Sequence, residues 1–280
     1  MNTVYARVGD VKTDGNAAAS SSNDDAWLRL LVAASDEVRS LTGREFAAKV
    51  DTRYIDVPTP HATNDYGLRL FLPWDVASIT TLSLFTANPL TFGTVLAENT
   101  DFIAVHEDDD TAKPIVALDV LPGSSLLSQW PAGTRQVKLA GVLGYSYETE
   151  DTGLVGTLSD AADTSLTLTA TGQNILYAGE TIRMGDEQLY VSAVAGTAVT
   201  VERGVNGTTA AAHSGVSVLR RRYSRKVEQA TRLRAMDLYA GQKSAQLYDA
   251  RTEGMGGFTS STAYRQFLGL IAPPIRKVRL

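Results

Sequence analysis

The first long apolar pattern in the chain predicts a helix. After Asn23 or Asp24, either of which can cap a helix, apolar residues recur at spacings of three and four from Trp27 to Leu41, and Gly43 follows. This spacing places one apolar stripe on a helix, and a glycine at the end suits a left-handed C-terminal cap. We therefore predict a helix that packs on one side only, preceded by a small polar loop at 12–23.

Short runs with a period of two follow this helix and predict strands. Clusters of Pro, Asn, Asp and Gly separate them, as expected for turns. The runs are TRYIDV (52–57), LRLFL (68–72), ITTLSLF (79–85), DFIAV (101–105) and IVALDV (115–120). The segment WPAGTRQVKLAGVLGYSY (130–147) predicts a turn, another strand and a glycine-bounded exit.

From about 153 to 219 the chain becomes rich in Thr, Val, Ala and Gly. Short strand-like runs alternate with glycine-containing turns, which indicates a small all-β module, either a barrel or a sandwich. Within it, Asn206-Gly207 is a turn signal, and the Asn-Gly-Thr sequon at this point means little without a secretory signal. The sequence offers no second metal ligand near His213.

A helical period returns at about 224–253, and the chain ends in a glycine-rich segment, a Pro-Pro pair and a basic, apolar tail. Such a tail has few local partners and is suited to docking on another chain. We predict that the extension 254–280 docks on another protein chain through a set of apolar and basic residues. They are Tyr264, Phe267, Leu268, Ile271, Ile275, Arg276, Lys277 and Arg279.

The composition of the chain makes an enzymatic function less expected. The 280 residues are 44% apolar, contain no cysteine and only three histidines, and show neither a run of 18 apolar residues nor a signal-peptide layout. Nucleophile-elbow, metalloprotease, phosphate-loop and dinucleotide motifs are missing. We therefore predict a folded, soluble, intracellular protein that is not an enzyme and has no catalytic residues, metal or cofactor. The acidic run 106–114 beside His106 is interpreted as a solvated hairpin tip.

Charge is distributed unevenly along the chain. Residues 1–219 hold 13 Lys and Arg against 27 Asp and Glu, a net charge of -14, whereas residues 220–280 hold 13 against 4, a net charge of +9. Opposite charges on one chain favour head-to-tail subunit contacts or two different partners, and the basic part is also suited to face nucleic acid. The alternative is an ordinary solvated helix face. The candidate basic patch, for a DNA channel or a subunit joint, is Arg220, Arg221, Arg222, Arg225, Lys226, Arg232 and Arg234.

Several of these segments, in this order, resemble the head-to-tail adaptor (connector) proteins of tailed bacteriophages. The first is ASDEVRSLTGREF (34–46), a helix closed by a Thr-Gly-Arg-x-Phe turn, followed by TRYIDV and by GLRLFLPWDVASITTLSL (67–84). The second is the glycine-bounded strand that ends in Gly-Tyr within 130–147, and the last is the helix that begins near Val227. The resemblance covers about 24–147 and 223–250.

The resemblance implies an α+β fold: an adaptor core with an N-terminal helix, a short antiparallel sheet and a long C-terminal helix. The family usually passes almost directly from the Gly-Tyr strand to the last helix, whereas about 70 residues intervene here. We therefore predict an adaptor core at 1–147 and 223–253, interrupted by an inserted all-β barrel or sandwich domain at 148–222.

For function, the resemblance implies a structural virion protein of the phage neck, assembled in the host cytoplasm. It would form a ring, commonly of twelve subunits, between the portal and the stopper or tail-terminator protein, through which the genomic double-stranded DNA passes. The extension 254–280 would dock on the portal. Non-specific contact with that DNA is expected, and contact with a membrane is not.

Two other function classes stay open. The β-module could bind a carbohydrate or a protein, or decorate the virion surface, although its aromatic side chains are only Tyr177 and Tyr190 and sugar platforms depend on aromatic faces. A hydrolase with an unrecognised site is the third class, and no motif motivates it.

Overall fold

A computed structural model describes residues 3–14, 23–58, 68–87, 91–145, 148–248 and 262–271, without the side chains of 87, 242–248, 262–264 and 271. Helices α1 and α2 span Val8–Asp14 and Asp24–Thr42, and α3 and α4 span Arg225–Tyr248 and Thr262–Ile271. The first six strands are β1 (Lys49–Val57), β2 (Arg69–Ala87), β3 (Thr91–Leu96), β4 (Phe102–His106), β5 (Ile115–Val120) and β6 (Gly133–Leu143). The other six are β7 (Thr149–Leu158), β8 (Ser165–Leu168), β9 (Thr181–Met184), β10 (Glu187–Ala195), β11 (Ala198–Glu202) and β12 (His213–Arg221).

The predicted α+β class is wrong, because the chain is mostly β. Among the described residues strands outweigh helices, and the strands form a closed six-stranded barrel and a second sheet of six strands. The sheet expected to be short contains the 19-residue strand β2. In the C-terminal part, α3 is followed by the separate ten-residue α4, so one long terminal helix does not close the fold.

The chain divides into two compact units, Arg44–Tyr147 and the remainder, Met1–Gly43 with Glu148–Leu280. The unit Arg44–Tyr147 is an antiparallel sheet in the order β1-β6-β2-β5-β4, with β3 paired to the second half of β2. Two of the predicted strands, 68–72 and 79–85, are parts of the single strand β2. The pairing register with β5 shifts between Phe71 and Val76, so Pro73 lies where a strand tolerates a missing N–H donor.

The core of this unit lies on one side of the sheet. Alternate residues of the strands, among them Ile55, Leu70 and Leu139, are buried there together with Trp130 from the segment before β6. The Trp130 indole N–H lies 3.1 Å from the carbonyl oxygens of both Leu68 and Leu118, so the largest buried side chain also keeps its polar atom bonded.

The other unit contains the barrel, closed in the order β10-β11-β8-β7-β12-β9. Apolar side chains from all six strands fill its interior, including Leu158, Leu166, Ile182, Leu189 and Val199. Alternation of buried and exposed residues along short strands such as β11 accounts for this packing.

The helices of this unit form a second apolar cluster. The predicted helix is confirmed as α2: Trp27, Leu31 and Ala34 are buried, and Gly43 has the expected left-handed φ of 64°. Helix α1 was missed, since its seven residues carry little periodicity and are fixed by burial of Val8 and Val11. None of the described helices is long and apolar enough to cross a membrane.

Candidate functional site

A half-open pocket lies where the N-terminal segment 4–7, the start of β9, the end of β12 and the first turn of α3 meet. We call it the arginine pocket, and its cavity volume is about 20 Å³. It is lined by Val4, Tyr5, Ala6, Arg7, Glu180, Thr181, Arg220, Arg221, Arg222, Tyr223 and Glu228. The first three residues of the predicted basic patch therefore line a pocket rather than a convex surface.

Glu180 is the centre of this pocket, and two arginines share it. Its carboxylate accepts hydrogen bonds from Arg7 Nε at 3.0 Å and from Arg220 Nε at 3.2 Å. The carbonyl oxygen of Ile175 also accepts from both guanidinium groups. Burial raises the pKa of the Glu180 carboxyl, and the charges of Arg220 and Arg7 oppose that shift.

Arg222 joins the end of the barrel to helix α3. It bonds Glu150 Oε2 at 2.7 Å and Glu228 Oε2 at 3.0 Å. The hydrogen bond with Glu150 raises the pKa of Arg222 and lowers the pKa of Glu150. This cation therefore has two carboxylate partners within its own chain.

The remaining members of the predicted patch are dispersed along α3. Arg225 and Lys226 are exposed at the start of the helix. Arg232 pairs with Asp14 at 2.9 Å, and Arg234 pairs with Glu37 at 2.6 Å and with Asp237 at 2.6 Å. The structure thus brings Arg220, Arg221 and Arg222 together and separates them from the helix cations.

The described part of the predicted docking tail packs within its own unit. Helix α4 contacts α3, and Phe267 is completely buried, with the Arg234 guanidinium 6.0 Å from its ring centre. Leu268 is partly exposed. The side chains of Tyr264 and Ile271 fall outside the described ones, and Ile275, Arg276, Lys277 and Arg279 lie outside the described residues.

Sequence reasoning missed Arg7, Glu180 and Thr181. Arg7 and Glu180 are 173 positions apart, so no local pattern connects them. The Thr181 hydroxyl is buried and has no hydrogen-bond partner among the described residues. Only the closed barrel and the covering N-terminal segment bring these groups together.

A second buried cluster of charged residues stabilises the turn after β11. Glu187 accepts hydrogen bonds from Arg203 Nε at 2.8 Å and Nη2 at 2.9 Å, and its Oε2 lies 2.8 Å from His213 Nε2. Backbone N–H groups of Gly204 and Ala211 also donate to it, at 3.0 and 3.1 Å. Burial raises the pKa of Glu187, but these donors outweigh it and hold the pKa at about 2.

This cluster explains the segment 198–213. The turn signal there is confirmed, since Asn206 and Gly207 have φ angles of 56° and 79°. His213 has a carboxylate beside it that the sequence did not reveal, 26 positions away. Together these groups fix the conformation of the turn after β11.

Charged residues of the acidic run 106–114 form ion pairs within the unit Arg44–Tyr147. Glu107 receives two hydrogen bonds from Arg44, at 3.0 and 2.5 Å, and Asp108 pairs with Lys113 at 2.6 Å. Within the described ranges, no group of three or more His, Asp or Glu side chains could hold a metal ion.

The sheet of Arg44–Tyr147 also exposes large apolar side chains on the side away from its core. We call this side the outer face and define it by Tyr54, Phe71, Val95 and Ile103, which are 42% to 58% exposed. Each lies next in sequence to a core residue, so strand alternation turns it outward. Tyr54 also lies beside Phe92, with ring centres 5.4 Å apart and Arg135 5.7 Å from the Tyr54 ring centre.

Tyr177, an aromatic side chain that could have formed a platform for a sugar, packs against other residues of its own chain. A Cβ on Gly9 would lie 2.6 Å from the Tyr177 ring, and the Arg7 guanidinium lies 5.5 Å from its ring centre. Tyr177 therefore packs against the N-terminal segment.

No protein-family model, curated protein or solved structure matches the chain.

Proposed function

We propose that this chain is a structural subunit of a phage head-to-tail connector in the neck of the virion. The subunit assembles into a ring and binds the portal protein. The observation that carries the proposal is the outer face of the sheet. It presents aromatic and aliphatic side chains from four strands, and large apolar patches on folded proteins mark protein–protein contacts.

The arrangement of this face supports contact with another protein chain. Tyr54, Lys138, Ser83 and Val95 are successive cross-strand neighbours, so they form one row across β1, β6, β2 and β3. The row combines apolar and cationic side chains. In a closed ring, one patch meets a different patch of the neighbour, and the acidic main part of the chain supplies complementary charge.

The assignment to a phage connector rests on the resemblance to adaptor proteins, through the segments 34–46, 67–84 and 130–147, whereas the outer face supports contact with another protein chain. The exposed cations Arg225 and Lys226 are the members of the basic patch best suited to reach DNA or a neighbouring subunit. Replacing both by Gln should weaken assembly or DNA retention, and unchanged values for both would remove them from this role.

Light scattering and negative-stain microscopy of the purified chain, alone and mixed with its portal protein, test the proposal. We expect closed rings in at least one of the two samples. A chain that stays monomeric in both would refute the proposal.

A pair of matched substitutions locates the interface. Phe71→Ser on the outer face should abolish ring formation, whereas Leu126→Ser should leave it intact. Both side chains are about equally exposed, at 51% and 52%, but Leu126 lies in the segment between β5 and β6. If the two variants assemble equally well, the outer face is not the subunit interface.

Portal docking is tested separately by deleting residues 272–280. This deletion leaves α4 and its buried Phe267 in place, so folding should be unaffected. We expect weaker binding to the portal, and equal binding of the full-length and truncated chains would exclude this segment from docking.

A further inference from the structure

Three aromatic side chains at one end of the outer face contact one another. The ring centres of Tyr54 and Phe92 are 5.4 Å apart, and Phe85 lies edge-on to Phe92 with ring centres 6.0 Å apart. Tyr54 is 42% exposed, and Phe85 and Phe92 are half-buried. We call these three residues the aromatic cluster. It presents ring surface on which a flat group from outside the chain can pack.

Two cations lie over these rings. The Arg135 guanidinium is 5.7 Å from the Tyr54 ring centre, and the Lys138 ammonium is 6.0 Å from the Phe92 ring centre. Among the described residues, neither side chain pairs with a carboxylate. Asp56 accepts a hydrogen bond from the backbone N–H of Arg135 at 2.7 Å, not from its side chain.

The other cations of the unit Arg44–Tyr147 are neutralised within it. Each of them pairs with a carboxylate, and they are Arg44, Lys49, Arg53, Arg69 and Lys113. The positive charge that the described residues of this unit leave unpaired is therefore concentrated at the aromatic cluster.

Exposed rings beside unpaired cations match a ligand that alternates flat apolar groups with negative charges. A nucleic acid strand with unpaired bases has this chemistry, because its bases stack on aromatic side chains and its phosphates bind Lys and Arg. A double helix holds its bases in its own stack and offers this surface only phosphates. An acidic protein segment offers negative charge without the regularly spaced flat groups.

We propose that the aromatic cluster binds a single-stranded nucleic acid segment. Its bases stack on Tyr54 and Phe92, and Arg135 and Lys138 bind its phosphates. With two phosphate contacts, the logarithm of the association constant should fall with the logarithm of the salt concentration with a slope of about -1.4.

Single-strand binding does not depend on the connector assignment. Phe71 pairs with β5, whereas Phe85 pairs with β3, so the two lie in opposite halves of β2. A subunit contact centred on Phe71 leaves the aromatic cluster accessible. A contact that covers the whole outer face would compete with the strand for Tyr54.

The probe is a fluorescently labelled thymidine oligonucleotide of about ten nucleotides, whose anisotropy is followed as full-length protein is added. Tyr54→Leu keeps apolar bulk but removes the ring, so we expect a dissociation constant about tenfold higher. Tyr54→Phe keeps the ring and should keep the wild-type constant. Lys138→Gln should weaken binding and reduce the steepness of the salt dependence by about 0.7.

Two substitutions are matched controls. Arg53 precedes Tyr54 on β1, pairs with Asp51 at 2.7 Å, and is turned to the other side of the sheet by strand alternation. Arg53→Gln should therefore leave the constant and the salt dependence unchanged. Phe71→Leu removes an equally exposed ring at the far end of the outer face and should also bind the oligonucleotide like wild type.

The titration is repeated in Phe71→Ser, which should be monomeric, so that ring formation cannot hide the site. Binding should persist in this variant whether or not wild type forms rings, which separates failure of single-strand binding from failure of the connector assignment. Unlabelled single strand should displace the probe better than duplex DNA or polyglutamate of equal negative charge.

Four results would each overturn the proposal. They are no binding by wild type and Phe71→Ser, unchanged binding by Tyr54→Leu, equal weakening by Arg53→Gln and Lys138→Gln, and equal displacement by duplex DNA or polyglutamate. Equal displacement would mean that the surface recognises negative charge alone, as a site for an acidic protein segment would.

Discussion

Replacing Glu187 by Gln should destabilise the barrel more than the same replacement of Glu202, the other charged residue of β10 and β11. The carboxylate accepts hydrogen bonds from Arg203, His213 and two backbone N–H groups, and its side chain is 1% exposed. An amide at this position keeps the shape but loses the charge, and it turns an N–H group toward donors that need an acceptor.

The pKa of Glu187 gives the size of the expected loss in the free energy of unfolding. Its folded-state value of about 2 lies below the ordinary value of 4.5, and each pKa unit corresponds to about 1.4 kcal/mol. The charged form therefore contributes about 3 kcal/mol at neutral pH, in the range of about 3–5 kcal/mol for breaking a buried ion pair.

Hydrogen exchange at pH 7 measures this effect locally, with peptides from 44–147 as an internal reference from the other compact unit. Peptides covering 199–221 should exchange about 100-fold faster in Glu187→Gln. Glu202→Gln is the control, because Glu202 is exposed on the paired strand β11. Equal protection from hydrogen exchange in the two variants would refute the conclusion that Glu187 stabilises this turn.

Four further outcomes follow from the same structure. The depressed pKa of Glu187 means that its stabilisation is complete above pH 4.5 and is lost as pH falls toward 2, so urea unfolding of wild type should weaken over that window while Glu187→Gln lacks this component. Gly141→Ala should destabilise the sheet by about 1–3 kcal/mol in urea unfolding followed by tryptophan fluorescence, because its Cβ would collide with the Ser78 carbonyl oxygen of β2. The opposite sign is expected for Gly241→Ala in α3, which meets nothing within 4 Å and should stabilise the protein by about 0.5–1 kcal/mol. Trp130→Phe should cost about 1–3 kcal/mol, since the carbonyl oxygens of Leu68 and Leu118 lose their shared donor.

Local features were predictable where local physics decides them. The apolar period of α2, its terminal Gly43 and the turn at Asn206 were read correctly, because caps, periodicity and positive φ depend on residues close in sequence. Strand β2 was divided in two, since Pro73 is a strong break signal and only the pairing with β5 shows that it lies at an irregularity. The α+β class was wrong because strands outweigh helices among the described residues, and pairings between strands distant in sequence, such as β1 with β6 and β7 with β12, help to build both sheets.

The arginine cluster shows why charge density along a sequence is a weak guide to surface charge. Arg220 and Arg221 are neighbours in a strand, so their side chains leave on opposite sides, yet both are buried. Both sides of β12 are therefore covered at its end, and segment 4–7 supplies part of that cover. Burial of Arg220 becomes tolerable because Glu180, 40 positions earlier, lies 3.2 Å away. Tertiary neighbours thus place Arg220, Arg221 and Arg222 in the wall of a pocket, and the exposed members of the predicted basic patch are Arg225 and Lys226.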